Sequence, residues 1–331
     1  MVVCTFLCQR IFERVRYPNP SANEWNLNIQ RQLTSRDVLS VAYIGQTGAH
    51  ILLTYNMNEA TPGAGAVASR RPYPNLADGT YSCMCGNSVF HSLQVTYMNH
   101  LSRGLDFQGA WTWSHSIDDS SGEGNTVSPQ NIENFALFRG NSDFDGRQSA
   151  VLSWSYVLPF GRNKQFASNA HGVEQMVVGG RKLNSIDTFR SGSPFTPVMS
   201  TSLLNAGTGV QWPNRIGSGK VSSPTAKQWF NIADFVSPGQ YIFGNSGRNI
   251  LVGPGTKQVD ASLFKDFPLS SAENRSLQFR AEIFNLLNTP QFNNPNAPVG
   301  NAAAGTITSA GQPALFQRTS REIQLALKLY W

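Results

Sequence analysis

The chain has 331 residues, of which 40% are hydrophobic, 11% aromatic and only 14% charged, with a formal net charge of +6. An average soluble domain is about 25% charged, so something other than a charged surface must meet the surroundings of this protein. Its cations stand singly, as at Arg31, Arg103, Arg147, Arg190, Arg248, Arg280 and Arg318, and the pairs Arg70-Arg71 and Arg181-Lys182 do not extend, which excludes the converging basic patch that a nucleic-acid partner requires.

Residues 1–20 form an atypical N-terminal segment: Met1 to Cys8 lacks the basic start of a signal peptide, and Gln9, Arg10, Glu13, Arg14 and Arg16 follow at once. From 21 to 331 the chain reads as one β-rich domain in which apolar and polar residues alternate with period two, placing them on opposite faces of strands. The first strands are 23–33, with Trp25, Leu27 and Ile29 in one row, and 36–46, with Leu39, Val41 and Tyr43. A long link over 47–87, rich in Gly, Pro, Asn and Ser, precedes strand 88–100 with its row of His91, Leu93, Val95 and Tyr97. After the tight link Ser102-Arg103-Gly104 comes the clearest strand, 104–117. Leu105, Phe107, Gly109, Trp111, Trp113, His115 and Ile117 fall on one side, and Asp106, Gln108, Ala110, Thr112, Ser114 and Ser116 on the other. One side suits lipid and the other water.

Beyond the link 118–146 follow strands 147–158 (Ala150, Leu152, Trp154, Tyr156, Leu158) and 181–190, then a long link to 256. Strands 257–267 (Val259, Ala261, Leu263) and 275–287 (Leu277, Phe279, Ala281, Ile283) lead through the link 288–319 to the final segment. There Ile323, Leu325, Leu327, Leu329 and Trp331 alternate with Glu322, Gln324, Ala326, Lys328 and Tyr330.

These nine strands are joined by tight or modest links after 33, 101, 158 and 267 and by long ones at 47–87, 118–146, 191–256 and 288–319. Short periplasmic turns alternating with long extracellular loops are the mark of a transmembrane barrel, and no window of about 20 residues is apolar enough for a membrane helix. The predicted fold is all-β, a transmembrane antiparallel β-barrel. Bacterial single-chain barrels have an even number of strands and tolerate no open edge in lipid. Nine strands therefore predict a fragment, about the nine C-terminal strands of a larger barrel, with signal and further domains upstream.

Several stretches resemble the C-terminal barrel of TonB-dependent receptors, in particular the Oar-like group with a carboxypeptidase-regulatory-like domain. They are Trp25-Asn26-Leu27-Asn28-Ile29-Gln30-Arg31, Val41-Ala42-Tyr43-Ile44-Gly45, Arg71-Pro72-Tyr73-Pro74, Trp111-Thr112-Trp113-Ser114-His115-Ser116-Ile117-Asp118-Asp119, Ser142-Asp143-Phe144-Asp145-Gly146-Arg147 and Leu158-Pro159-Phe160-Gly161. The likeness continues in Arg190-Ser191-Gly192-Ser193-Pro194-Phe195, Phe243-Gly244-Asn245-Ser246-Gly247-Arg248-Asn249, Phe264-Lys265-Asp266-Phe267 and Phe279-Arg280-Ala281-Glu282-Ile283-Phe284-Asn285-Leu286-Leu287-Asn288. It implies a barrel of about 22 strands with a plug, the plug and its TonB-contacting box lying outside this sequence. Arg181 and Lys182 depart from the family, which tends to place an aromatic residue there.

The resemblance implies that Ile323, Leu325, Leu327, Leu329 and Trp331 are a signal read by the barrel-assembly machinery; an ordinary half-buried last strand is the plain alternative. Trp111, Trp113, Trp154 and Tyr156 are expected in the aromatic girdles at the membrane interfaces, against core packing in a sandwich. Gln278, Arg280 and Glu282 are expected to face the lumen or contact a plug, against a plain solvated face.

Asp118, Asp119, Glu123, Asp143 and Asp145 invite a calcium or acid–base reading, yet their spacing reproduces no EF-hand loop. Cys4, Cys8, Cys83 and Cys85 do not have convincing zinc spacing; Cys83-Met84-Cys85 is placed in a loop, open to local oxidation. The histidines His50, His91, His100, His115 and His171 lie far apart, and His115 reads as interfacial. No metal, cofactor, phosphate loop or catalytic constellation is expected. The expected function is therefore uptake of a bulky nutrient by an outer-membrane TonB-dependent receptor, with outer-membrane lipid, the TonB complex and an unknown ligand as partners. The alternative is an extracellular β-rich adhesin or glycan-binding protein.

Overall fold

The structure is a computed structural model and describes residues 10–13, 18–102, 104–121, 129–207, 210–269, 275–311 and 318–331. Nine long strands carry the fold: β1 (Ser21–Gln32), β2 (Asp37–Asn56), β3 (Gly79–Ser102), β4 (Leu105–Asp118), β5 (Gln148–Val157), β6 (Arg181–Arg190), β7 (Thr256–Pro268), β8 (Ser276–Phe284) and β9 (Glu322–Tyr330). Each pairs antiparallel with its neighbours in sequence, so the main sheet is a meander ordered from β1 to β9. Two short strands join it near the long-loop end: Arg10–Glu13 runs parallel to the start of β3, and Gly140–Asn141 pairs with the end of β4. Of the segment 1–20, only 10–13 and 18–20 fall among the described residues.

Residues directly opposite in a ladder share a face, so the register shows what each face carries. From β4 to β9 one row runs Leu105, Tyr156, Leu183, Leu263, Ala281, Leu325. The next row, one residue along, runs Asp106, Ser155, Asn184, Ser262, Glu282, Gln324. A single step along the strands changes the face from apolar to polar on all six, because side chains alternate strictly in a pleated sheet. The apolar face continues through Trp111, Val95, Val41 and Ile29 to β1.

Among the described residues that apolar face has no second sheet against it. Leu27 and Ile29 are each 62% exposed, and Ile323, Leu325 and Leu327 are 65–68% exposed. Among the described residues no helix is long and apolar enough to cross a membrane, and the only α-helix, Gly172–Val178, has seven residues.

Two links differ from expectation. The region 47–87 is strand at both ends, since β2 runs on to Asn56 and β3 starts at Gly79, leaving 57–78 as the connection. His50 takes φ 58° where the register shifts between Ala49 and Ile51. Such a bulge breaks the period of two, and this hid the extension in the sequence. Cys83 and Cys85 therefore lie in β3 rather than a loop, joined as a disulfide; Cys4 and Cys8 lie outside the described residues. The link after 158 is also not short: it spans 158–180 and carries the helix, whose last turn accepts a hydrogen bond from Arg181 to the Val177 carbonyl at 2.6 Å.

The larger buried apolar cluster lies in the long loops. Phe195, Phe230, Phe235, Leu251 and Val299 pack together, joined by Met199, Trp229, Ile232, Ile250 and Ala297, so the described parts of the 191–255 loop and residues 285–311 form one folded cap. A second cluster sets Leu53 and Cys83 of the β2–β3 extension against Tyr55, Tyr81, Phe135 and Phe138. Here, beyond the bulge, burial and the neighbouring Tyr81 phenol push the Tyr55 hydroxyl above its ordinary value.

Candidate membrane face, inner wall and loop cap

Trp111 and Trp113 lie toward the long-loop end of the apolar face, 39% and 43% exposed. Trp154 and Tyr156 lie toward the opposite end, opposite Phe107 and Leu105. The four aromatics thus form two levels on one face. Trp111 donates its indole N–H to Gln148 Oε1 at 2.8 Å, and Tyr43 OH meets His91 Nδ1 at 2.8 Å beneath the Trp25 ring. Aromatic rings with a satisfied polar handle suit a boundary between apolar and wet surroundings. Trp25 stands across from Gly45, where a Cβ would come within 2.2 Å of the indole; glycine there leaves the ring room to lie on the sheet.

Ile323, Leu325, Leu327 and Leu329 project from β9 on this same face, with Trp331 just past the strand end and 90% exposed. The outer side of β6 departs from the pattern, placing Ser185 and Asp187 between Leu183 and Phe189. Of the unusual pair at its start, Arg181 lies on the apolar face and Lys182 on the polar one.

Gln278, Arg280 and Glu282 all lie on the polar face of β8. Arg280 stacks 4.6 Å from the Phe264 ring centre and donates to Gln278 Oε1 at 2.5 Å and to Tyr330 OH at 3.0 Å. Higher up, Arg318 lies 4.2 Å over Phe284 and pairs with Glu322. Asp260 accepts from the Asn285 N–H at 2.7 Å and from Gln258 Nε2 at 2.9 Å. Glu282 has no hydrogen bond or ion pair with another described residue.

The acidic group at the top of β4 acts as an anchor for the cap. Asp118, 2% exposed, forms an ion pair with Arg248 from the 191–255 loop. The guanidinium also donates to Ser121 Oγ at 3.0 Å and to the Asn141 carbonyl at 3.1 Å, and lies 5.5 Å over the Phe138 ring. Next to it, Asn249 donates to the Asn141 carbonyl at 2.7 Å and to Asp143 Oδ1 at 2.6 Å. Asp145 accepts from the Ser116 N–H at 2.8 Å and pairs with Arg147 at 2.6 Å, and Asp119 pairs with Arg139 at 3.4 Å. Arg147 also reaches His115 Nε2 at 2.7 Å. These carboxylates hold loops to the rim, and Glu123 lies outside the described residues. Among the described residues no three His, Cys, Asp or Glu side chains gather as metal ligands.

Arg248, Asn249, Gln130 and Asn205 were not singled out by the residue pattern. Gln130 donates to the Gly244 carbonyl at 2.5 Å and accepts from the Trp212 N–H at 3.0 Å. Asn205 donates to the Gly63 and Gly65 carbonyls at 2.8 and 3.0 Å. Three loops are thus tied to one another as well as to the rim. The one trace of this in the sequence was the stretch Phe243–Asn249, which stood out by family resemblance alone.

A family profile described as "outer membrane beta barrel domain" matches residues 11–324. Among solved structures the chain is similar to the outer membrane transporter YddB from Escherichia coli, at 12% identity and a TM-score of 0.48, over 97% of this chain. The chain spans 34% of that transporter's length. A search of curated proteins returns no match. With an uncovered apolar face, a polar one behind it and a profile match over nearly its whole length, the chain belongs to the outer membrane beta barrel domain family and resides in the outer membrane.

Proposed function

We infer that the chain supplies part of the wall and the extracellular cap of a TonB-dependent outer-membrane transporter that takes up a bulky nutrient. The observation that carries this reading is the polar row running across six strands from Asp106 to Gln324, with a folded, cross-tied loop cap at its long-loop end. A polar interior gives a solute a hydrated path, and a cap with its own core presents a shaped surface for selection. No covalent chemistry enters the reading. The Oar-like resemblance supports a plug, coupling to the TonB complex and recognition of the β9 row and Trp331 by the barrel-assembly machinery.

The sheet edges support a larger barrel. Among the described residues β1 and β9 each pair on one side only, and nine alternating strands leave these two edges running the same way. Antiparallel closure then requires an odd number of further strands, since open backbone groups in hydrocarbon cost several kcal/mol each. An adhesin with a dry core between sheets would need the apolar rows covered, and they are exposed.

Expression in a Gram-negative host with membrane fractionation tests the reading. The expected product is recovered with the outer membrane and resists urea washing of it, and the full-length receptor that contains this wall migrates faster on gels before heating than after and supports energy-dependent solute uptake. A product that stays soluble and monomeric without detergent overturns it.

A further inference from the structure

The inner wall between β6 and β8 is not uniformly polar. It carries an open cavity of about 280 Å³ lined by Ile186, Phe264 and Phe284 together with Asp260, Ser262 and Glu282. The register places all six on the polar face: Ile186 is opposite Asp260, Ser262 opposite Glu282, and Phe264 two residues below Ser262. Ile186 is 54% exposed, an apolar side chain of a kind a purely hydrated wall has no use for.

Most of the charged groups around the cavity are already engaged. Arg280 is occupied by Gln278, Tyr330 and the Phe264 ring. Arg318 is occupied by Glu322 and the Phe284 ring. Asp260 already accepts two hydrogen bonds. Lys182 stands opposite Phe264 on the same face, so three cations, Lys182, Arg280 and Arg318, meet three carboxylates, Asp260, Glu282 and Glu322, and of these carboxylates Glu282 alone lacks a partner among the described residues. The two stacks show that both aromatic rings sit where a cation can be held against them.

We propose that this cavity is a binding subsite for an organic cation, an ammonium or guanidinium group on an apolar body, with Glu282 taking the charge and Ile186, Phe264 and Phe284 taking the body. The proposal rests on the reading of the wall as the inside of a transporter and names a chemical class of solute for it. An uncharged isostere loses the charged hydrogen bond to Glu282 and is bound at least about ten-fold more weakly. The volume admits a group the size of one phenylethyl unit.

The test uses the whole membrane-inserted protein in lipid nanodiscs, with empty nanodiscs as the background. Binding of 2-phenylethylamine and of 2-phenylethanol is measured by calorimetry and by saturation-transfer NMR. The expected result is a preference of about ten-fold or more for the amine, lost in Glu282→Gln, with both probes excluded by Ile186→Trp, which fills the cavity. Should Glu282→Gln fail to fold, the amine-to-alcohol ratio and Ile186→Trp still decide. Equal binding of the two probes, a ratio unchanged by Glu282→Gln, or binding that survives Ile186→Trp overturns the proposal. Absence of amine binding to a folded barrel, the result expected if a polypeptide segment already fills the cavity, also overturns it and leaves the transporter reading standing. Failure to reach the outer membrane strikes that reading instead.

Discussion

At the scale of single residues, the side chains that matter most for order are the buried ions, not the apolar rows. Arg248 and Asp118 are both almost fully buried and satisfy each other. Removing one partner strands the other charge, at a cost of about 3–5 kcal/mol. Arg248→Met is therefore expected to loosen the 191–255 loop: limited proteolysis of intact cells should cut it in the variant and spare it in the wild type, while the strands stay resistant. Gly140 adds to the same lock, since a Cβ there would come within 2.6 Å of the Arg248 carbonyl; Gly140→Ala should weaken the cap in the same assay, by less. On the apolar face, a cation placed at the midplane of the membrane costs about 2–4 kcal/mol. Leu327→Arg should lower stability in lipid vesicles by that amount, measured by urea unfolding. Gln324→Arg, on the polar side of the same strand, should change it by less than about 0.5 kcal/mol.

At the scale of elements, strand identity was legible from alternation, and strand length was not. All nine segments are strands, because a row such as Leu105 to Ile117 admits one arrangement in which every apolar side chain leaves water. The β2–β3 extension does not show in the alternation because each strand carries an unpaired residue, His50 on β2 and Cys85 on β3, that moves the side chains beyond it to the other face. The length of the link 158–180 is not legible in the sequence because its helix is short and carries exposed Val173, Met176 and Val177. For the last strand, deletion of Trp331 is expected to reduce the fraction of protein that assembles in the outer membrane, read as heat-modifiable mobility on gels. Trp331→Phe should restore it. Equal assembly with and without the residue would show that β9 is only a wall strand.

At the scale of the whole molecule, the decisive property is an inverted arrangement: the exposed apolar surface is on the sheet, and the larger buried apolar cluster is in the loops. Water drives this in a soluble domain the other way round. In a bilayer the sheet's rows meet hydrocarbon, and only the part reaching solvent needs a core of its own. The edges follow from the same physics. In the membrane-inserted protein the amides of β1 and β9 are expected to exchange with deuterium as slowly as those of β4, because further strands cover them. Fast exchange confined to β1 and β9 would show an open sheet and refute closure by additional strands.

Alternation along the chain, by itself, determined that this is a nine-stranded meander with one greasy and one wet face, since side-chain direction in a strand is a local property of the backbone. It also placed Trp111, Trp113, Trp154 and Tyr156 on the greasy face and Gln278, Arg280 and Glu282 on the wet one. Only the tertiary structure decided that Asp118 belongs to Arg248, 130 residues away, that Gln130 and Asn205 tie the loops together, and that Ile186, Phe264 and Glu282 line one cavity. Those contacts depend on where long irregular loops and separate strands come to rest, and no periodicity encodes that.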